Sequence, residues 1–185
     1  MGGKSNMQFE VSDPIPFGVE DAFFLIRDRM PSLVPYMKDT ESIDVQDRQE
    51  NGDEVKIINR WQASANQIPK ALQSLIKPEY LSWMDHATWS TEKKHAQWRL
   101  EAMGSNRLFS CTGVTSVRPH SDPHQAQLVI EVSFEIHPEN IPGVPTFVAK
   151  RLTGQIEKFI GDVLQTNMRQ LSKSMAQYAQ DHQDS

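Results

Sequence analysis

The apolar positions of the chain have a period of two over most of its length and a helical period near its two ends. Residues 7–13 alternate between apolar and polar side chains, which predicts a half-buried strand ended by Pro14 and Pro16. Residues 17–29 repeat apolar side chains every three or four positions, which predicts a helix. Pro31 then favours the start of a second short helix over residues 31–37.

Alternation returns after these helices and continues to residue 136. Asn51-Gly52-Asp53 is a strong hairpin signal, because Asn and Gly adopt positive φ at little cost. Residues 68–76 interrupt the strands with a short helical pattern before Pro78. Residues 148–178 are apolar at spacings of three and four, which predicts one long helix. The segments that alternate with period two are 41–64 (a hairpin), 80–90, 96–101, 108–118 and 126–136.

This order of elements predicts an α+β fold. Most of the strands have a single apolar face, which is typical of an antiparallel sheet covered on one side. The C-terminal helix is the one predicted element long enough to cover it, so a curved seven-stranded sheet is expected to wrap around that helix. We expect a single domain over residues 7–180, with disordered tails at 1–6 and 181–185. A concave apolar space between sheet and helix favours a small-molecule site.

Both the element order and several short strings resemble the START-like (SRPBCC) helix-grip superfamily, which includes polyketide cyclase/dehydrase and lipid-transport proteins. The strings are similar to a bacterial subgroup without an assigned activity, and they are residues 15–17 (IPF), 26–31 (IRDRMP), 59–62 (NRWQ), 83–89 (WMDHATW) and 142–145 (PGVP). The resemblance covers about residues 7–179. It implies the helix-grip fold and a function drawn from lipid transfer, hydrophobic ligand binding, cyclisation or adaptor binding, because one fold serves many functions.

Composition limits which partners and which cellular location we expect. The 185 residues include 19 Lys and Arg against 24 Asp and Glu, a formal net charge of −5, which argues against nucleic-acid binding. Cys111 is the single cysteine, which excludes an internal disulfide and fits a reducing, cytoplasmic location. Because the sequence has neither a long apolar run nor an apolar signal core, we expect neither a membrane span nor a secretory signal. At most, Lys150, Arg151 and Lys158 predict a transient contact with an anionic membrane.

The four tryptophans, Trp61, Trp83, Trp89 and Trp98, each share a face with the apolar residues of their own strand. They are therefore expected to point inward. Two interpretations remain open for them, since indoles can simply fill a core or can line a cavity to which their N–H groups add donors.

Asn59 and Asp85 are polar side chains on predicted apolar faces. A buried polar group without a partner costs about 1–3 kcal/mol, so each needs one. One interpretation is a structural hydrogen bond, from Asp85 to an indole N–H or to Asn59. The other is that the pair anchors a polar ligand head, or that Asp85 is a proton acceptor with a raised pKa. His86 should face the opposite side of the sheet.

Three functional hypotheses follow. The first is a binding protein for a hydrophobic or amphipathic small molecule, such as a lipid or isoprenoid, and it is favoured over catalysis. The second is a cyclase or hydratase-like enzyme with Asp85 as general base and Asn59 orienting the substrate. The third is an adaptor that binds another protein through Arg60 and Arg99 on the outer sheet face. The expected ligand-binding residues are Asn59, Trp61, Trp83, Asp85, Trp89, Trp98, Phe134, Phe159 and Met168.

No cofactor or metal is expected. The sequence lacks a Cys pair and an HExxH motif, and His120 and His124 are four apart in a Pro-containing loop, where helical ligand spacing does not apply. Cys111 is expected to be a small buried residue of a strand rather than a nucleophile. The sequence leaves the oligomeric state open.

Overall fold

The computed structural model of the protein describes residues 6–68, 70, 73, 81–103, 109–140 and 145–183. Within these ranges seven strands form one antiparallel sheet in the order β1-β7-β6-β5-β4-β3-β2. The bounds are Asn6–Ile15 (β1), Thr40–Asn51 (β2), Glu54–Ala63 (β3), Ser82–Ser90 (β4), His95–Ala102 (β5), Phe109–Pro119 (β6) and Ala126–Ile136 (β7). The predicted curved seven-stranded sheet under a long C-terminal helix is confirmed.

The strands from β2 to β7 follow one another as neighbours, and β1 closes the order by pairing with β7. Gly52 takes φ +61° in the β2–β3 turn, which explains why the Asn-Gly signal identified this hairpin. The strand passes through the first of the two prolines predicted to end it, with Pro14 opposite Gln127, and ends at Ile15, directly before Pro16. Pro14 is tolerated since β1 is an edge strand, where the missing N–H removes no inner ladder bond.

Two short helical segments follow β1, as the sequence predicts. Helix α1 spans Val19–Asp28 and buries Ala22, Phe23, Leu25 and Ile26. A 3₁₀ helix then spans Met30–Tyr36 and buries Met30 and Leu33. Pro31 stands in its first turn and Pro35 lies inside it. The first turn tolerates Pro31, because an N–H there has no helical acceptor, whereas Pro35 lacks an N–H that a continuing helix would use.

The C-terminal helix, α2, spans Thr146–Gln183 and contacts β1, β7 and the 3₁₀ helix. Its 38 residues correspond to about 57 Å of helix. The side chains that it buries against the sheet include Leu164, Leu171 and Met175. Gly161 of α2 lies against β1, since a Cβ at this position would be 3.2 Å from the terminal methyl of Met7.

Some predicted boundaries shift. Asn6 is part of β1 and α2 continues through Gln183, so residues 6 and 181–183 belong to regular structure rather than to the predicted disordered tails. The helix predicted over residues 68–76 falls mostly outside the described residues, as do residues 1–5 and 184–185. Among the described residues, α2 is too polar and α1 too short to cross a membrane.

Candidate functional site

A cavity of about 80 Å³ lies between the inner face of the sheet and α2. Strands β3 to β7 form one wall, α2 forms the opposite wall, and Met30 of the 3₁₀ helix contributes from the side. The sheet residues that line it are Trp61, Trp83, Asp85, Ala87, Trp89, Trp98, Leu100, Thr115 and Ile130. The helix residues that line it are Leu164, Asn167, Met168 and Leu171.

All four tryptophans reach this cavity, because period-two alternation turns each toward α2. Trp61 and Trp83 are opposite each other on β3 and β4, with ring centroids 6.0 Å apart and ring planes 12° from parallel. Trp89 packs edge-on against Phe23 of α1, with centroids 5.6 Å apart. The four tryptophans therefore pack in or against the hydrophobic core and also line the cavity.

Trp98 lies across its neighbouring strand. Its indole Nε1 donates to Thr115 Oγ1 at 3.0 Å, and Gly113 is its register partner on β6. A Cβ at Gly113 would overlap the Trp98 ring and the Glu131 carbonyl oxygen. Position 113 therefore requires glycine, because the Trp98 indole occupies the space that a larger side chain would need.

Asp85 is the one carboxylic acid among the described residues of the cavity wall. Its Oδ1 is buried and has no hydrogen-bond partner. Burial raises the pKa of the Asp85 carboxyl to about 7, because the charged form loses its hydration. The Trp61 N–H favours the ionised form and lowers this pKa, but it falls short of hydrogen-bond geometry.

Other buried polar atoms around the cavity also have no protein partner. Asn59 faces Asp85 across the β3–β4 ladder, is 5% exposed, and leaves its Oδ1 unpaired. Asn167 leaves its Oδ1 unpaired on the α2 side, and the Nε1 atoms of Trp61 and Trp89 are unpaired as well. Since native proteins pair most buried polar groups, this concentration of unpaired atoms is typical of a site that receives a polar ligand.

Three of the expected ligand-binding residues lie apart from the described cavity wall. Asn59 is buried beside it, and Phe134 is 1% exposed in the core, with its ring centroid 5.9 Å from that of Phe109. Phe159 is a partly buried residue packed against the core. The expected residues that the structure does bring together are Trp61, Trp83, Asp85, Trp89, Trp98 and Met168.

Sequence reasoning missed Asn167 and Thr115. Asn167 stands three residues after Leu164 and four before Leu171, which is the spacing of the inward face of α2. The signal was thus present in the helical period. Thr115 shares the inward face of β6 with Cys111, but its role depends on where the Trp98 ring comes to lie.

Cys111 is 1% exposed, and burial together with the neighbouring Asp85 charge raises the pKa of its thiol to about 12. His86 faces away from Asp85, with its Nε2 3.0 Å from Glu101 Oε2. Arg99 lies 3.5 Å from the same carboxylate along its own strand, so the cross-strand partner of Glu101 is His86. The described residues contain no group of three potential metal ligands.

Larger hollows occur on the opposite face of the sheet. One of about 730 Å³ includes Gln8, Glu10 and Glu131, whose side chains are exposed to solvent. None of the described residues that line these hollows has a buried polar side-chain atom without a hydrogen-bond partner. Near the start of α2, Lys150 and Arg151 are exposed beside Phe147, which is 76% exposed, whereas Lys158 pairs with Asp162 at 2.7 Å.

No protein-family model and no curated protein matches the chain. Solved structures do match it. The Zhui aromatase/cyclase from Streptomyces has a TM-score of 0.66 at 11% identity, covering 95% of this chain and 94% of its own. Norcoclaurine synthase from Thalictrum flavum, solved with dopamine and hydroxybenzaldehyde, has a TM-score of 0.61 at 9% identity, covering 97% and 89%.

A protein from Thermus thermophilus has a TM-score of 0.61 at 18% identity, covering 91% of this chain and 97% of its own. In each case the likeness spans nearly the whole of both chains, while the sequence identity is low. It therefore concerns the arrangement of strands and helices rather than any particular residue. The protein has the helix-grip fold.

Proposed function

We propose that the protein binds a hydrophobic or amphipathic small molecule, such as a lipid or an isoprenoid, between the sheet and α2. The observation that carries this proposal is the cavity lined by four tryptophans and by the unpaired carboxyl of Asp85. Apolar parts of a ligand gain from contact with the indoles and with Leu164 and Leu171. A polar end supplies partners to atoms that otherwise cost about 1–3 kcal/mol each.

The cavity is smaller than a typical ligand pocket. Ligand pockets usually measure roughly 300–1,000 Å³, whereas this one encloses about 80 Å³. Binding therefore includes a widening of the space, by movement of α2 away from the sheet. The two fold neighbours named as an aromatase/cyclase and as a synthase solved with two aromatic molecules support a small-molecule role for a cavity of this kind.

Cavity filling tests this proposal. Ala87 lines the cavity and is 4% exposed, so Ala87→Leu places a larger side chain inside it. The matched control is Thr88→Leu, one residue further along β4 on the outer face. Binding of farnesol and of oleate is followed by tryptophan fluorescence, and molecules that copurify are detected by native mass spectrometry.

We expect the wild type and Thr88→Leu to bind at least one probe and Ala87→Leu to bind at least tenfold more weakly. Urea unfolding of both variants shows whether each remains folded. Equal affinity in folded Ala87→Leu and Thr88→Leu would place the probes outside the cavity and contradict the proposal. Absence of binding by the wild type together with an empty protein in native mass spectrometry would contradict it as well.

The pKa of Asp85 supports a second candidate, a cyclase or hydratase-like enzyme in which Asp85 is the general base. A pKa of about 7 lets a carboxyl group accept and release a proton near neutral pH. Asn59 opposite it would orient the substrate. A model reaction tests the base alone: removal of the ring C–H proton of 5-nitrobenzisoxazole by the carboxylate, with cleavage of the N–O bond to give the nitrile phenolate.

For this second candidate, the rate above background should rise with pH through about 7 in the wild type, because the ionised carboxylate is the base. It should vanish in Asp85→Asn and persist in Glu54→Gln, which removes an exposed carboxylate from β3. A rate that is unchanged in Asp85→Asn would exclude Asp85 as the base.

A further inference from the structure

The inner cavity contains an acid without a basic counterpart. Among the described residues that line it, none is Lys, Arg or His, and the unpaired Oδ1 of Asp85 is enclosed by protein atoms. An isolated buried carboxylate is strongly disfavoured unless a positive charge compensates it. The described wall supplies no such charge, so the carboxyl either keeps its proton or is ionised beside a cation that the ligand carries.

The aromatic wall provides the second half of a cation site. The faces of indole rings carry negative potential, and Trp is the side chain that attracts organic cations most strongly. Trp61, Trp83, Trp89 and Trp98 all line the same cavity as Asp85. The described arginine and lysine contacts with aromatic rings occur elsewhere, at Phe23 and Phe24, so none of them occupies these indole faces.

We infer that the cavity recognises a substituted ammonium ion, which its indole faces surround and whose charge the Asp85 carboxylate neutralises. This inference rests on the proposed ligand-binding function and gives the chemistry of the ligand's polar end. A cavity of about 80 Å³ is on the scale of a compact head group, while any longer tail requires the widening described above. The unpaired Oδ1 of Asn167 faces the site from α2 and offers an acceptor for an N–H or O–H of the same head group.

The surroundings of Asp85 determine how binding depends on pH. From the sheet, the neighbouring titratable group is Cys111, whose thiol pKa of about 12 keeps it neutral in the physiological range. The 3₁₀ helix contributes Met30, and α2 contributes Leu164, Asn167, Met168 and Leu171, none of which titrates. His86 lies on the other face against Glu101. Ionisation of Asp85 therefore governs the charge of the site.

A pair of isosteric probes tests the inference. Choline carries a quaternary ammonium, and 3,3-dimethyl-1-butanol is its neutral carbon analogue with the same shape. Their affinities are measured at pH 6 and pH 8 by calorimetry and tryptophan fluorescence. If only the carboxylate form with a pKa of about 7 binds, choline affinity rises about tenfold over this range, whereas that of the neutral probe does not rise.

Two variants complete the experiment. Asp85→Asn should reduce choline affinity to that of the neutral analogue and remove its dependence on pH, while Glu54→Gln, which removes an exposed carboxylate from β3, should leave both unchanged. Urea unfolding confirms that each variant is folded. Equal binding of the two probes by the wild type, or choline binding that survives Asp85→Asn, would overturn the inference.

The outcomes also separate this inference from the proposed function. If farnesol or oleate binds in a manner that Ala87→Leu blocks while choline shows no advantage over its analogue, the cavity binds ligands but does not select cations. If none of these molecules binds and the protein is empty in native mass spectrometry, the proposed function fails and the inference fails with it.

Discussion

Asn59 and Asp85 are opposite each other on adjacent strands, and each has a buried Oδ1 atom without a hydrogen-bond partner. The structure contains no side-chain hydrogen bond between them. Both atoms are acceptors, so each calls for a donor or a positive charge. Burial raises the pKa of the Asp85 carboxyl, and the two unpaired acceptors point to a ligand.

The first prediction concerns the pH dependence of folding. The pKa of Asp85 is about 7 in the folded protein and about 3.9 in an unfolded chain. Between these values the folded state holds the proton and the unfolded state does not, so stability is greatest at low pH and is lost as the pH rises toward 7. We expect Asp85→Asn to remove this component.

Urea unfolding at pH 5 and pH 8 measures it. The fall in unfolding free energy between these pH values should be larger in the wild type than in Asp85→Asn by roughly 2–3 kcal/mol. All other titrating groups are common to both proteins and cancel in this comparison. An identical fall in both would show that the Asp85 carboxyl titrates normally.

The second prediction concerns two glycines. Gly113→Ala should destabilise the protein by at least about 1–3 kcal/mol, because the new Cβ would overlap the Trp98 ring and a backbone carbonyl. Gly154→Ala is the matched control in α2, where a Cβ meets nothing within 4 Å. It should stabilise the helix by up to about 1 kcal/mol. Chemical denaturation of both variants gives the sign of each change in unfolding free energy. An unchanged stability in Gly113→Ala would contradict the packing of Trp98.

The third prediction concerns the hydrogen bond from Trp98 Nε1 to Thr115 Oγ1. Thr115→Val keeps the shape but leaves the indole N–H without a partner, so it should cost about 1–3 kcal/mol. Trp98→Phe removes the donor, and the double variant should cost less than the sum of the two single changes. A double-mutant cycle measured by urea unfolding gives the coupling, and strict additivity would argue against the bond.

The fourth prediction concerns the thiol of Cys111. Since thiolate is the reactive form and the pKa of this group is about 12, Ellman's reagent at pH 8 should leave the native protein unmodified. The same reagent should modify one thiol per chain in 6 M guanidinium chloride. Rapid modification of the native protein would show that β6 is open to solvent at this position.

The fold could be predicted from the sequence because most of its elements show a pattern of apolar and polar residues within their own segment. Alternation with period two identified β7 with the bounds that the structure gives, and it placed the four tryptophans on the inward face. The end of β1 could not be predicted in this way. Pro14 is acceptable only because β1 lies at the edge of the sheet, and its place in the sheet depends on pairing with the distant β7.

The site was partly predictable for a similar reason. The inward direction of Asp85 follows from the strand period, whereas its pKa depends on which groups from other elements surround it. Asn167 could have been found from its spacing to Leu164 and Leu171 on α2. The volume of the cavity could not, because it depends on how closely α2 approaches the sheet.

The pairing of β1 with β7 has a consequence for the order in which the protein folds. The first strand of the sheet, β1, has no sheet neighbour until β7, more than a hundred residues later in the sequence, has been made. Until then the apolar alternation of β1 has no sheet partner, and an unpaired apolar strand edge is a site of aggregation. Contacts so distant in sequence also slow folding. The emergence of β7 therefore ends the period in which the unpaired β1 can lead the newly made chain to self-associate.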